Sequence, residues 1–590
     1  MENTSQVPSK KCQSIFRFIF ESCWDVFLPY LSNLEIGKFD LILTDVSLRK
    51  LYFSLVNEFY LNNKIYDYKE LDWILKKNIS LTKCHLEFSF KGRQLLLYID
   101  TKFYATYIFT LYISSIDAEF EAFSRIALMC PNLVEISGKN IDEVGLRALG
   151  RLNGSCLSIV KFDFIFIAVE ALLDMAIDVL CKGSPSLKSL RLIEAGTGPT
   201  GITGNYTDAA VQCIIQHCPN IEVLSLCSWT RITDLSMIHL THLPRLRELD
   251  LPSCHQLTSA GVQGLLNANR ELESLMLSNV DRDNDELAAL INGALLTCIG
   301  LCCHNLVKLH LRFDNYTDHS DITSASFEAM IKGLPVLEDL LLDEYTESNT
   351  ILPMLGRYCP RLKTVHIDEV ACTDDDFVSM CRGCPLIESL DISFLRTLTD
   401  ISMLAVAAHC PMLKRLSISY IDSVTDDSLC VLFTQCIHLT SVTLTNLHLI
   451  TNKSILTLLK YCPQLRYLSL TANPRLTDYC IQAIITYCPL IESLDLWHIS
   501  TLTHETIVQI SRYCKQLRAI VLHCCHNISY ITVVEILKNC KLLTYIYINS
   551  SSLHMSDEFK TQCNELAAKR WYRTLHLTYK DQCTVVSEVN

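Results

Sequence analysis

Glycine and proline are scarce, 18 and 16 residues in a chain of 590, which excludes a collagen-like or low-complexity polymer. Positive charge is also in short supply: 51 Lys and Arg face 64 Asp and Glu, leaving a formal charge of −13. That balance argues against a broad phosphate-binding surface, so no nucleic-acid partner is expected. Long apolar runs are missing as well. The stretch Ile15 to Phe20 is interrupted by Arg17 and followed by Glu21, without the small-residue cleavage site of an export signal. No run reaches the 18 or so residues of a membrane span, and no membrane association is expected. Catalytic signatures are absent too, with no phosphate-binding glycine loop, no HExxH and no ordered Ser/His/Asp set. Gly196 to Gly204 lacks the GK[ST] ending of a phosphate loop and reads as a flexible surface insertion.

What the chain has in excess is cysteine, 29 residues. A polypeptide of this length is no small disulfide scaffold, so the thiols are expected to be reduced. The expected location is the cytoplasm, with the nucleus as a second compartment. The sequons at Asn153 and Asn205 then carry no glycan. The length itself exceeds what one core supports, which leaves several domains or a repeat array.

The cysteines decide for the array. Cys384, Cys410, Cys436, Cys462, Cys488, Cys514 and Cys540 are each 26 residues apart. After each comes a fixed apolar register, as in Leu413, Leu416, Ile418 and Leu465, Leu468, Leu470. This is the leucine-rich-repeat pattern. An apolar-Thr-polar triplet follows, Leu398-Thr399-Asp400 and Val424-Thr425-Asp426 among others, in which the threonine reads as a helix N-cap. Met403, Val406, Ala407 and Cys410 then mark the buried face of a three-turn helix, with the cysteine as its last inward residue. Strand starts at Leu133, Leu157, Leu187, Ile221, Leu246, Leu272, Leu306, Leu337, Leu362 and onward to Leu543 recur at about 27 residues, one strand plus one helix.

These residues resemble the cysteine-containing leucine-rich repeats of the F-box/LRR proteins, the substrate receptors of SCF-type ubiquitin ligases. The resemblance implies an α/β solenoid, a right-handed horseshoe of parallel strands and outer helices, behind a small N-terminal α-helical domain. It divides the chain into an F-box-like region at 12–61, a linker or atypical capping repeats at 62–125, the repeats at 126–550, and a cap and tail at 551–590. Trp24 to Asp40 looks like a degenerate F-box, and Trp24, Phe27, Leu31, Leu34 and Ile36 are its candidate contacts to an Skp-type adaptor and, through it, a cullin ligase core. It departs from the family pattern: Leu28-Pro29 falls inside the apolar stretch, where Pro29 would interrupt a helix, and the closing Cys and Trp are absent. The alternative is a non-ubiquitin interaction scaffold in which these residues only cap the array.

No catalytic residue, metal ligand or cofactor is expected. Cys381-Arg-Gly-Cys384 has CxxC spacing, but Cys384 is accounted for by the repeat. In His523-Cys524-Cys525-His526 and Cys302-Cys303-His304 adjacent residues point apart. Asp374-Asp375-Asp376 opens a helix, where acids favour the dipole. Binding is expected on the concave strand face. Its outward row includes His310, Leu341, His366, Asp391, Ser417, Thr443, Ser469, Asp495, Val521 and Tyr547, flanked by Arg312, Asp343, Asp368, Trp497 and His523. The acids at Asp343, Glu344, Asp368, Glu369 and Asp391 predict a protein substrate with a basic segment, contacted by Asp343, His366, Asp368 and Asp391, with Trp497 and Tyr547 as aromatic anchors.

Overall fold

The computed structural model describes residues 132–548, apart from 153–155, 167–172, 194–205, 280–289, 314–320, 344–350, 526 and 529, together with 58–61, 83–87, 110–114, 576–579 and 582–585. The chain divides into two compact units, Met1–Arg231 with His242–Arg245, and Ile232–Thr241 with Leu246–Asn590. The candidate adaptor contacts Trp24, Phe27, Leu31, Leu34 and Ile36 lie outside the described residues, as do the Gly196 to Gly204 insertion and Glu344.

In the first unit the strands Glu58–Leu61, Lys83–Glu87, Thr110–Ser114, Glu135–Asp142, Ile159–Phe166, Ser189–Leu192 and Val223–Ser225 pair in sequence order, all parallel. Helices such as Leu173–Gly183 and Asp208–His217 connect them.

The second unit repeats the same strand–helix step. From Glu248–Leu251 to Tyr545–Tyr547 consecutive strands pair in parallel, and the run ends on His576–Tyr579, which turns back antiparallel into Gln582–Val585. The leucine-rich-repeat α/β class expected from the spacing is the fold observed. Each strand starts two residues later than the apolar pattern suggests, at Asp339, Thr364 and Ser389 where Leu337, Leu362 and Ile387 had marked the start. Those first apolar residues are fully buried beneath the turn that leads into the strand. Their N–H groups bond back across the turn, Leu337 to Leu334 O and Leu362 to Cys359 O.

Alternation within each strand sets the core. Val365 and Ile367, Leu390 and Ile392, and Leu416 and Ile418 point toward the helices and are buried, while the residues between them face the other way. Each such side chain contributes about 1.5–3 kcal/mol of burial. Helix Asp426–Gln435 answers with Leu429, Leu432 and Phe433, and helix Asn452–Tyr461 with Ile455, Leu458 and Leu459, on the face the periodicity assigns. Where helices come closest, glycine is obligatory: a Cβ at Gly383 would collide with the carbonyl of Gly356.

The repeated threonine caps its helix as expected at Thr399, Thr425, Thr451 and Thr503, accepting a first-turn N–H. Thr477 is the exception, because its Oγ1 instead accepts from Asn452 Nδ2 at 2.7 Å. The following aspartate does more than complement the dipole. Asp400 accepts from the Thr425 N–H (2.8 Å), the Thr425 hydroxyl (2.6 Å) and the Ser428 hydroxyl (2.5 Å), one repeat further on. Asp374 holds Thr399 and Ser402 likewise, and Asp426 holds Thr451. Burial works against ionisation of these carboxyls, but the hydrogen bonds outweigh it and keep Asp374, Asp400 and Asp426 below the ordinary value. Asp376 closes a capping box with Thr373, so the acidic triplet at 374–376 is largely structural.

The periodic cysteine is the C-cap of its helix, one place beyond the last helical residue, and also a donor. Cys488 Sγ lies 3.5 Å from Cys462 O, Cys462 Sγ 3.6 Å from Cys436 O, and Cys436 Sγ 3.6 Å from Cys410 O. Burial pushes the Cys384, Cys436, Cys462, Cys488 and Cys514 thiols up to about 12. Such groups are poor nucleophiles and poor ligands at neutral pH.

Candidate functional site

Strands Asp339–Asp343, Thr364–Asp368 and Ser389–Ser393 lie side by side in the second unit, in register His366 to Asp391 and Leu341 to His366. Period-two alternation turns His366, Asp368 and Asp391 away from the helices, and parallel pairing stacks them. Asp343 ends its strand and is only 7% exposed. It is matched by Arg312, at the same register one strand earlier, whose Nε donates to it at 2.6 Å. His366 Nδ1 donates to Asp391 at 2.8 Å. That hydrogen bond raises the His366 pKa against the opposing effect of burial. Burial also resists ionisation of Asp391, but His366, Ser417 and Ser393 outweigh it and hold the carboxyl low.

One carboxylate is left over. Asp368 Oδ1 is shielded from solvent and has no hydrogen-bond partner. Burial, then the Asp343 charge, pushes its pKa up to about 6. The donor atoms of Asp343, His366 and Asp368 lie within 4.8 Å of one another, the grouping among the described residues close enough for one cation. The cysteine–histidine segments are used otherwise: Cys525 Sγ donates to Leu496 O, Cys303 is a C-cap, and His304 bonds Gly333 O.

Because Asp368 is harder to ionise folded than unfolded, it favours the fold while protonated, and that advantage is lost as pH rises from about 4 to about 6. Asp368→Asn is therefore expected to stabilise the chain at pH 7.5 by about 1–2 kcal/mol, after allowance for partial solvent screening. The gain should fall to about half near pH 5 and vanish below about pH 4, as checked by urea midpoints at pH 7.5, 5 and 3.5.

Of the expected anchors, Tyr547 lies farther along the row of His366 and Asp391, and Trp497 lies in the flanking row, two residues beyond Asp495. His523 joins them, its ring 5.1 Å from Trp497 and 5.0 Å from Tyr547. Trp497 is 44% exposed. From His366 to Tyr547 there are seven strand steps, roughly 33 Å at about 4.8 Å each. An extended segment of about ten residues covers that distance.

The structure thus brings Asp343, His366, Asp368 and Asp391 into one cluster and sets Trp497 and Tyr547 in another. Sequence reasoning had His523 only as a flanking residue and a rejected metal ligand; its register with Trp497 was the signal. The stacked pair Phe394 and Tyr420, centroids 4.3 Å apart, was not foreseen. Both sit at left-handed φ, as do Glu369, Asn446, Ala472, His498 and Cys524 in the same repeat position. None is glycine. The strain of roughly 1–3 kcal/mol per residue is offset by N–H bonds to the next repeat, Phe394 to Ser419 O and Tyr420 to Thr445 O. The arrangement sets charged and aromatic side chains along one strand face of a non-catalytic leucine-rich-repeat scaffold fold.

No family model matches the chain. A region of 250 residues is 22% identical to the F-box protein MAX2 homolog A of Petunia hybrida, covering 38% of this chain. The match spans about a third of that relative's length, 34%. Among solved structures, the yeast complex of Rad7 and Elc1 is similar at TM-score 0.44 and 18% identity, over 60% of this chain and 81% of that one. A TLR13–ssRNA13 complex is similar at TM-score 0.40 and 15% identity, over 85% and 75%.

Proposed function

We propose that this chain is a substrate-recognition subunit of an SCF-type ubiquitin ligase, acting in the cytoplasm or nucleus. Its strand face holds a protein substrate, and residues 12–61 hold an Skp-type adaptor and thereby the cullin core. The observation that carries the reading is the half-buried Asp368, which has no ion-pair partner of its own beside the Arg312–Asp343 and His366–Asp391 pairs, so that a lysine or arginine of a partner would complete the cluster at its exposed edge, away from the shielded Oδ1. An extended basic segment would place a cation there and an apolar or cationic residue on Trp497 and His523. The relative named as an F-box protein and the degenerate F-box at Trp24 to Asp40 support the adaptor role. The chemistry of ubiquitin transfer then belongs to partner subunits, and the mechanism of this chain is to hold the substrate near them.

Co-purification with an Skp-type adaptor tests the adaptor role. The intact chain should retain adaptor, and the Phe27/Leu31/Ile36 triple alanine variant should lose it by about tenfold or more, since such apolar anchors dominate helical docking surfaces. Failure of the intact chain to retain adaptor favours the second reading, a leucine-rich-repeat scaffold outside ubiquitin transfer. That reading keeps the same strand-face geometry.

A further inference from the structure

The outer helices carry a feature that the strand-face reading does not use. Tyr461, Tyr487 and Tyr513 precede their C-cap cysteines in three consecutive repeats, 26 residues apart. They are 42%, 40% and 63% exposed, and Tyr479 is 66% exposed. All four line a groove of about 950 Å³ across the solvent side of helices Asn452–Tyr461, Asp478–Tyr487 and His504–Tyr513. Its charged lining consists of Lys453 and Lys460, with no carboxylate, on a chain whose net charge is −13. Lys460 lies 5.5 Å from the Tyr461 ring centre, while Lys453 pairs with exposed Asp427 at 2.7 Å.

Packed helices lie about 8–10 Å apart. A polyproline II strand completes a turn every three residues, about 9 Å. A row of tyrosines repeated once per helix therefore meets a polyproline II strand at the same face on each turn. Tyrosine suits that role, offering a flat apolar ring against a pyrrolidine and a hydroxyl for the exposed carbonyls of a helix with no internal hydrogen bonds. Lys460, held over the Tyr461 ring, and Lys453, whose carboxylate partner Asp427 is exposed and exchangeable, favour acidic residues at the positions between prolines.

We propose that this tyrosine groove docks an extended, proline-rich segment of a partner protein that carries acidic side chains, at a site separate from the acidic strand face. The proposal does not depend on adaptor binding.

Fluorescence anisotropy with the full chain and a labelled peptide of four Pro-Pro-Glu repeats tests it. Saturable binding is expected, weakened about tenfold or more by Tyr461→Ala/Tyr487→Ala/Tyr513→Ala, because aromatic anchors carry most of such contacts. Lys453→Glu/Lys460→Glu should weaken it by about threefold or more and reduce its salt dependence. Unchanged urea midpoints would show that the exposed substitutions leave the fold intact. Absence of saturable binding, equal binding of an Ala-Ala-Glu peptide, or full affinity in the tyrosine variant would each overturn the proposal. So would a tyrosine-dependent dimer in sedimentation velocity, which would assign the groove to a second copy of the chain.

Discussion

Replacing Asp343, Asp368 and Asp391 with lysine in one variant is expected to abolish capture of a basic segment at low salt, a loss of about a hundredfold or more. The three substitutions change the local charge by six units on neighbouring strands, and like-charge contacts at an interface cost several kcal/mol. Arg312 and His366, now partnered with carboxylates, would add to the repulsion. The triple asparagine variant separates charge from folding: it keeps the side-chain shape and should retain weak binding, down about tenfold. Capture by the native chain should fall as salt shortens the screening length from about 30 Å at 0.01 M to about 8 Å at 0.15 M. It should also weaken below about pH 6, where Asp368 takes up its proton. Unchanged capture by the lysine variant, measured on an immobilised lysine- and arginine-rich peptide, would contradict this use of the face.

Asp400→Ala is expected to destabilise the repeats by about 2–4 kcal/mol in urea unfolding. The carboxylate accepts three hydrogen bonds from Thr425 and Ser428 of the next repeat. Its removal orphans donors that are partly buried, and charge-assisted bonds are the stronger kind. The neighbouring Asp427→Ala should change stability by no more than about 0.5 kcal/mol, because Asp427 makes an exposed ion pair with Lys453. The sign of the pH dependence follows. The Asp400 pKa is lowered by folding, so its contribution is present above the unfolded value near 4 and disappears as pH falls through the folded value. The penalty of Asp400→Ala should therefore shrink in acid, while an equal loss at pH 3 and pH 7 would point to packing.

Why the register was legible and the inter-repeat bonds were not is a matter of range. Apolar periodicity reports local geometry, so Leu416 and Ile418, or Leu429 and Phe433, could be assigned to buried faces from their spacing. The threonine caps are local too. The second partner of Asp400 stands 25 residues away, and only the stacking of repeats brings it near; the aspartate was readable as a dipole partner and no further. The same limit applies to the cysteines, whose Sγ donors find carbonyls of the preceding repeat. In the candidate site the row Leu341, His366, Asp391 was readable because parallel strands place equivalent positions side by side. The cancellation of Asp343 by Arg312 needed the strand order and the burial of Asp343 as well. Left-handed residues such as Phe394 and Tyr420 carry no glycine to announce them.

Adaptor retention on a basic-peptide resin tests most directly whether this chain bridges the two partners. A column bearing the lysine- and arginine-rich peptide is loaded with Skp-type adaptor, with and without the intact chain. The adaptor should be retained only with the chain present. It should wash through when Phe27, Leu31 and Ile36 are alanine, although the chain itself stays bound, and both should wash through when Asp343, Asp368 and Asp391 are lysine. Capture of the intact chain with all adaptor in the flow-through would contradict the bridging role.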